Sequence, residues 1–165
     1  MTILTDTEID DVCTNILSNV STYEPHLFAM FQTMYNLGCR ETETVTLSRW
    51  TPSGFHLFDL QTMKRGGIRV ISYDVLPALF ISTVLNPPSR GFLYSARNLR
   101  DVFNKFSPYR NIFCKDKEIA CHLFRHNKMK QLFNEGNDYN QIANYFAVSD
   151  AFVAQYYVTS VIEVP

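Results

Sequence analysis

His122-Leu123-Phe124-Arg125-His126, with Leu132-Phe133-Asn134-Glu135-Gly136-Asn137-Asp138 five residues further on, is the most informative text in this 165-residue chain. It reads as the body and end of a long helix, predicted over 117–134 and closed by Gly136. His122 and Arg125, three residues apart, fall on one face of that helix. Asp138 opens a further helix over 139–146, and Ser149-Asp150 opens a last one over 150–158. Upstream, Ser107-Pro108 breaks the chain after a helix over 96–106 capped by Ser95. Asn86-Pro87-Pro88 stops a helix over 75–85 that Asp74 caps, with Pro77 tolerated in its first turn.

The N-terminal third is helical as well. Thr5-Asp6-Thr7-Glu8 is a capping box ahead of Ile9, Val12, Cys13, Ile16 and Leu17, which predicts a helix over 6–19. A second runs over 23–36, with Gly38 placed as its C-terminal cap, and a short one over 41–47. Between these blocks the period changes. Residues 55–63 and 68–73 are rich in strand formers, and Lys64-Arg65-Gly66-Gly67 reads as the turn of a hairpin. The expected fold is mainly α with a small antiparallel β-hairpin or sheet, an α+β class. Without repeats, low-complexity text or a linker, 1–165 is expected to be a single domain.

Composition narrows the function. Apolar residues make up 46% and charged residues 19%, a globular balance. No apolar run approaches the roughly 20 residues that span a bilayer, so no membrane partner is expected. The acidic start lacks a signal peptide's basic region. Six glycines form neither a dinucleotide fingerprint nor a P-loop, which argues against a nucleotide cofactor. Cys13, Cys39, Cys114 and Cys121 show no C-x-x-C spacing and read as reduced thiols of a cytosolic protein. The net charge of −1 conceals a basic block. Residues 64–130 hold thirteen basic and four acidic side chains, between a stretch 1–63 with eight acids and two bases and a stretch 131–165 with four acids and no Lys or Arg. Such a block is the footprint of a polyanion site or an unevenly solvated surface.

Four strings, taken in order, carry a resemblance. They are Leu37-Gly38-Cys39-Arg40-Glu41-Thr42-Glu43; Thr62-Met63-Lys64 with Arg69 five residues beyond the lysine; His122-Leu123-Phe124-Arg125-His126; and Gln155-Tyr156-Tyr157, whose last residue lies thirty-two positions after Arg125. Together they resemble the catalytic domain of the tyrosine recombinases, the phage and transposon integrase family, whose strings are G-L-R-x-S-E, T-K-x-x-K-x-R, H-x-L-R-H and a late Q-x-Y. The run from Leu132 to Asp138 with Ile142, and the opening Leu4-Thr5-x-x-Glu8, resemble the family too, so the likeness covers nearly the whole chain.

The resemblance implies a site-specific recombinase or integrase domain that cleaves and rejoins double-stranded DNA through a covalent 3′-phosphotyrosine. It works with other protomers on the DNA, in a bacterial or phage-encoded cytoplasmic setting, and it requires neither a metal nor ATP. The chemistry asks for these residue types. A phosphodiester under attack gains charge on its nonbridging oxygens, which two planar, permanently charged guanidiniums clamp; Arg40 and Arg125 are the expected pair. Lys64 is the expected donor to the leaving 5′-oxygen, with Arg65 as a competitor in the same turn. His122 exchanges the tyrosine proton, and Tyr157 is the nucleophile. Tyr156 points about 100° away on the same helix, and the spacing from Arg125 selects Tyr157. Arg65, Arg69, Lys128 and Lys130 are further candidates for DNA phosphates, and His126 is expected to make a structural hydrogen bond. Cys114, Cys121, His122 and His126 fit no standard zinc spacing, so no metal site is expected.

Two departures stand out. Where the family usually has G-H-x-S or G-W-x-S, this chain has Ala147-Val148-Ser149-Asp150. Valine offers no hydrogen bond to the phosphate, so a slowed enzyme is expected, and a noncatalytic DNA-binding regulator is the alternative. A type IB topoisomerase, which shares the arginine, lysine, histidine and tyrosine logic, is the second alternative. The family's helical N-terminal domain has no counterpart here, and only eight residues follow Tyr157. The chain is therefore expected to be a bare catalytic domain, either excised or naturally minimal.

Overall fold

The computed structural model describes residues 1–63, 67–89 and 93–165. The chain begins with strand β1 (Thr2–Ile3) and helices α1 (Asp6–Ser21), α2 (Pro25–Leu37) and α3 (Glu41–Val45). Thr5 and Glu8 form the capping box of α1. Glu24 caps α2, with Pro25 at the position where a missing N–H costs nothing. Gly38 closes α2 with φ of 69°, a left-handed conformation that glycine adopts without strain.

A 3₁₀ turn, Leu47–Arg49, leads into three strands: β2 (Trp50–Gly54), β3 (Leu57–Gln61) and β4 (Ile68–Ser72). They pair antiparallel in the order β2-β3-β4. The predicted hairpin is thus present as β3–β4, whereas β2 was not expected. Pro52, Gly54 and a register shift between them disguise it. Phe58 and Leu60 on β3, with Arg69 and Ile71 on β4, face inward. Trp50, Phe80 and Leu37 complete that layer of core. After a 3₁₀ turn at Tyr73–Val75 come α4 (Ala78–Leu85) and α5 (Ala96–Phe106). Pro77 therefore stands at the N-cap of α4 and not within its first turn.

The long helix predicted from 117 begins later. Residues 112–119 form a second hairpin, β5 (Ile112–Cys114) and β6 (Lys117–Ile119), before α6 (His122–Asn134). The two-residue loop holds Lys115 and Asp116 at φ of 49° and 62°, the conformation a tight hairpin requires. Neither residue is the glycine that usually signals it. Helices α7 (Tyr139–Tyr145) and α8 (Ala151–Thr159) and strand β7 (Ile162–Val164) complete the chain. Strand β7 pairs with both β5 and β1, giving a second sheet of order β1-β7-β5-β6.

Helix α6 runs through the middle, packed against α1, α2, α7 and α8. Leu123 and Phe124 join the core built on α1 and α2. Met129 joins the smaller core under α7 and α8 that contains Phe146 and Tyr157. Seven residues of α6 are buried, including Arg125, His126, Asn127 and Lys130. Its buried polar residues have no solvent to turn to, so each must find a partner inside.

Candidate functional site

His122 and Tyr157 meet. His122 Nε2 lies 2.7 Å from Tyr157 Oη, a short hydrogen bond whose direction depends on the imidazole tautomer. Helix α6 supplies the histidine from its first turn and α8 the tyrosine from its last, and the packing of the two helices sets the distance. Tyr157 is only 7% exposed. Its neighbour points elsewhere: Tyr156 is 40% exposed, its hydroxyl 3.9 Å from Cys114 Sγ and its ring under the Lys115 ammonium at 4.5 Å. The two adjacent tyrosines thus occupy different surroundings, with only Tyr157 on the imidazole.

Arg125 lies one turn beyond His122 and is 1% exposed. Its Nη1 donates to the Gly38 carbonyl at 3.1 Å, and its guanidinium packs over the rings of Phe146 and Tyr157. Its Nε has no partner among the described residues. Burial, then the charge of Arg40, pulls its pKa down to about 10, so it stays charged at neutral pH. Arg40, at the N-cap of α3, is 17% exposed and pairs with Glu43 through Nη1 at 3.4 Å.

Sequence reasoning gave Glu43 no role, yet it is the hub of this cluster. Its carboxylate is buried and accepts from the Arg40 N–H at 2.9 Å and from the Met63 N–H at 3.0 Å, while its carbonyl accepts from Trp50 Nε1 at 2.9 Å. Burial alone pushes its pKa up. The N–H donors of Arg40 and Met63 and the charges of Arg125 and Arg40 outweigh that and hold it below the usual carboxylate range. The signal was available: Arg40 and Glu43 stand in capping-box register, and the carboxylate does accept from the cap N–H. Two guanidiniums (Arg40, Arg125) act on one carboxylate, and the charge of Arg69 reaches Arg125; the surplus positive charge in a low-dielectric setting is what an anion site needs.

Gly38 serves this cluster twice, through its carbonyl and through its missing side chain. A Cβ there would sit 2.8 Å from the Phe146 ring and 2.9 Å from Lys128 Cβ. Gly38→Ala should therefore lose about 2–3 kcal/mol, from the left-handed backbone and from overpacking. Urea denaturation read by tryptophan fluorescence measures it.

The remaining expected site residues divide. Lys64 and Arg65 lie outside the described residues. Arg69 and Lys130, expected on the DNA surface, are buried instead. The strand register puts Arg69 opposite Leu60 on the inward face of β4. There its Nη2 donates to the Leu37 carbonyl at 2.9 Å and its guanidinium packs on the Tyr145 and Phe146 rings. Lys130 lies on the buried face of α6, its ammonium on the Val158 and Ser160 carbonyls. Lys128 is half-buried, and burial lowers its pKa. His126 is buried against the Ser160 hydroxyl at 2.8 Å. Burial, His122 and Lys130 push its pKa down to about 3, so it is neutral at physiological pH. Val148 follows Ala147, which ends α7 at φ of 53°. Among the described residues no group of three or more His, Cys, Asp or Glu is placed to hold a metal, and no helix is long and apolar enough to cross a membrane.

Tyr156 and Tyr157 form the wall between two clefts. One, of about 800 Å³, is lined by His122, Arg100, Asn104 and Lys117; the other, of about 610 Å³, by Arg40, Gly67, Val148 and Phe152. Tyr157 thus lines both clefts, His122 the first and Arg40 the second, while Arg125 and Arg69 are buried behind them.

No protein-family model and no curated protein matches the sequence. Solved structures do. The XerA recombinase is similar with a TM-score of 0.63 at 14% identity, over 96% of this chain and 59% of that one. A lambda integrase dimer bound to a COC′ core site gives 0.64 at 14%, over 95% and 59%. The XerH site-specific recombinase bound to its difH substrate gives 0.59 at 14%, over 95% and 50%. The chain therefore spans between half and three-fifths of these structures. With the element order, the two small sheets and the central α6 already described, the likeness shows that this chain has the fold of the tyrosine recombinase catalytic domain.

Proposed function

We propose that the chain is the catalytic domain of a site-specific DNA recombinase, cleaving and rejoining duplex DNA through a 3′-phosphotyrosine. The contact of Tyr157 Oη with His122 Nε2 at 2.7 Å, beside the buried Arg125, carries the reading. Tyr157 Oη attacks the scissile phosphorus and its proton passes to His122 Nε2. Arg40 and Arg125 hold the nonbridging oxygens as negative charge builds on them. The bond to the 5′-oxygen breaks, and that oxygen takes a proton, for which Lys64 is the proposed donor. Rejoining runs the same steps backward with the proton returned to Tyr157. The step balances without metal or nucleotide. The lambda integrase and XerH structures, which are DNA complexes, support duplex DNA as substrate and further protomers as partners. Arg65 and the half-buried Lys128 are proposed as further phosphate contacts.

A nicked suicide duplex, from which the 5′ fragment diffuses away, traps the covalent adduct. Adduct on denaturing gels supports the reading, and DNA binding without adduct favours the noncatalytic regulator. Val148 is the observation behind that second reading: an apolar side chain lines the cleft that holds Arg40. Val148→His should restore a phosphate donor and speed adduct formation. The ceiling is about 2–4 kcal/mol, or roughly two to three decades. Single-turnover kinetics measure it.

A further inference from the structure

Lys130 is a buried cation that the proposed chemistry does not use. It is 4% exposed, and its ammonium donates to the Val158 carbonyl at 3.0 Å and the Ser160 carbonyl at 2.7 Å. Both acceptors lie within three residues of Tyr157, at the end of α8, where carbonyls lack helical partners and a cation is favoured. The surrounding groups complete a lashing. Ser160 Oγ donates to the Tyr157 carbonyl at 2.7 Å and touches His126 Nδ1 at 2.8 Å. From α1, the Asp6 carboxylate stands 3.9 Å from the ammonium. His122, Arg125, His126 and Lys130 all belong to α6. One rigid helix therefore carries the tyrosine's hydrogen-bond partner, the phosphate clamp and the tether on the tyrosine's own backbone.

We infer that Lys130 is a positioning residue: through the carbonyls of Val158 and Ser160 it fixes the end of α8 and so holds Tyr157 Oη on His122. The inference rests on the recombinase reading for its consequence, but the contact it explains exists in the free protein. Burying an ammonium for stability alone is a poor arrangement, since an apolar residue of similar volume commonly serves as well or better. A buried lysine on two carbonyls makes sense where one geometry must be held.

The test joins a DNA-free readout to a DNA readout. In the free protein, the His122 imidazole is titrated by long-range proton–nitrogen NMR, with and without Tyr157→Phe. In wild type, removing the hydroxyl should shift the His122 titration. In Lys130→Met the same removal should shift it much less, the contact being already loosened. On the nicked duplex at saturating DNA, Lys130→Met should form adduct at least tenfold more slowly, with half-saturation within about twofold of wild type. Lys130→Gln, whose shorter amide can keep at most part of the tether, should show the same pattern more weakly and carries the test if Lys130→Met does not fold. An equal His122 shift in both backgrounds, or no shift in wild type, overturns the inference. So does a variant whose DNA affinity falls while the rate per bound complex holds, because Lys130 would then be a phosphate contact. If the His122 coupling depends on Lys130 but wild type forms no adduct, the positioning role stands and the recombinase reading falls.

Discussion

On a nicked suicide duplex, Tyr157→Phe should form no detectable covalent adduct, while Tyr156→Phe should stay within about threefold of wild type. The two substitutions delete the same atom from adjacent residues, so the comparison isolates placement. Tyr157 Oη has the imidazole at 2.7 Å and shares a wall with the arginine cleft. Tyr156 Oη faces Cys114 Sγ at 3.9 Å and not an imidazole. Burial, then Cys114, raises the Tyr156 pKa, which makes its phenolate harder to form and argues further against it. Phenylalanine keeps the ring packing under Arg125, so Tyr157→Phe should lose no more than about 1 kcal/mol of stability, the usual net worth of one hydrogen bond. Circular dichroism on the same samples separates lost chemistry from lost fold. Adduct persisting in Tyr157→Phe would remove the nucleophile assignment outright.

The helices were legible because their ends are written in side chains. Thr5 with Glu8, Gly38, Ser95 and Asp138 each sit where the structure places a cap. The strands were less so. Strands β1 and β7 are two and three residues long and exist because they pair with each other across the whole chain, which no local pattern reports. The β5–β6 hairpin hid inside an expected helix because Lys115 and Asp116 adopt left-handed backbone without a glycine to announce it. At the site, the strings that resemble the family singled out His122, Arg125 and Tyr157, and the packing of α6 against α8 brings these three side chains together. Arg69 and Lys130 were misread as surface charges for one physical reason. A basic residue in a basic block looks solvated until tertiary packing encloses it, and enclosure by aromatic rings or helix-end carbonyls is invisible in the sequence. Glu43 was overlooked from the opposite side: an acid seems out of place in a polyanion site, yet like-charged guanidiniums cannot be gathered without one.

Glu43 should therefore be the most sensitive position for stability, and its removal the largest structural effect in the chain. Glu43→Ala strands the Arg40 and Met63 N–H groups and leaves Arg40 and Arg125 facing each other without their counter-charge. Breaking one side of a buried pair costs about 3–5 kcal/mol. Against a typical total of about 5–15 kcal/mol, that brings a domain of this size close to unfolding. Glu43→Gln keeps an acceptor for the N–H donors but not the charge, so it should fall between wild type and alanine. The pH dependence separates charge from shape. The folded pKa of Glu43 is lowered, so its stabilisation is complete above the unfolded value of about 4.3 and disappears as pH falls through the folded value. Wild type should lose stability on acidification in that window, and Glu43→Gln should show a flatter profile there while being less stable at neutral pH. Urea midpoints at pH 3, 4, 5 and 7 measure both. Parallel profiles in wild type and Glu43→Gln would mean that the carboxylate charge is not what holds the arginines together. Because the same carboxylate fixes Met63, just past the end of β3 and next to Lys64 in sequence, Glu43→Gln should also slow adduct formation more than its loss of stability accounts for, by loosening both that connection and the arginine clamp.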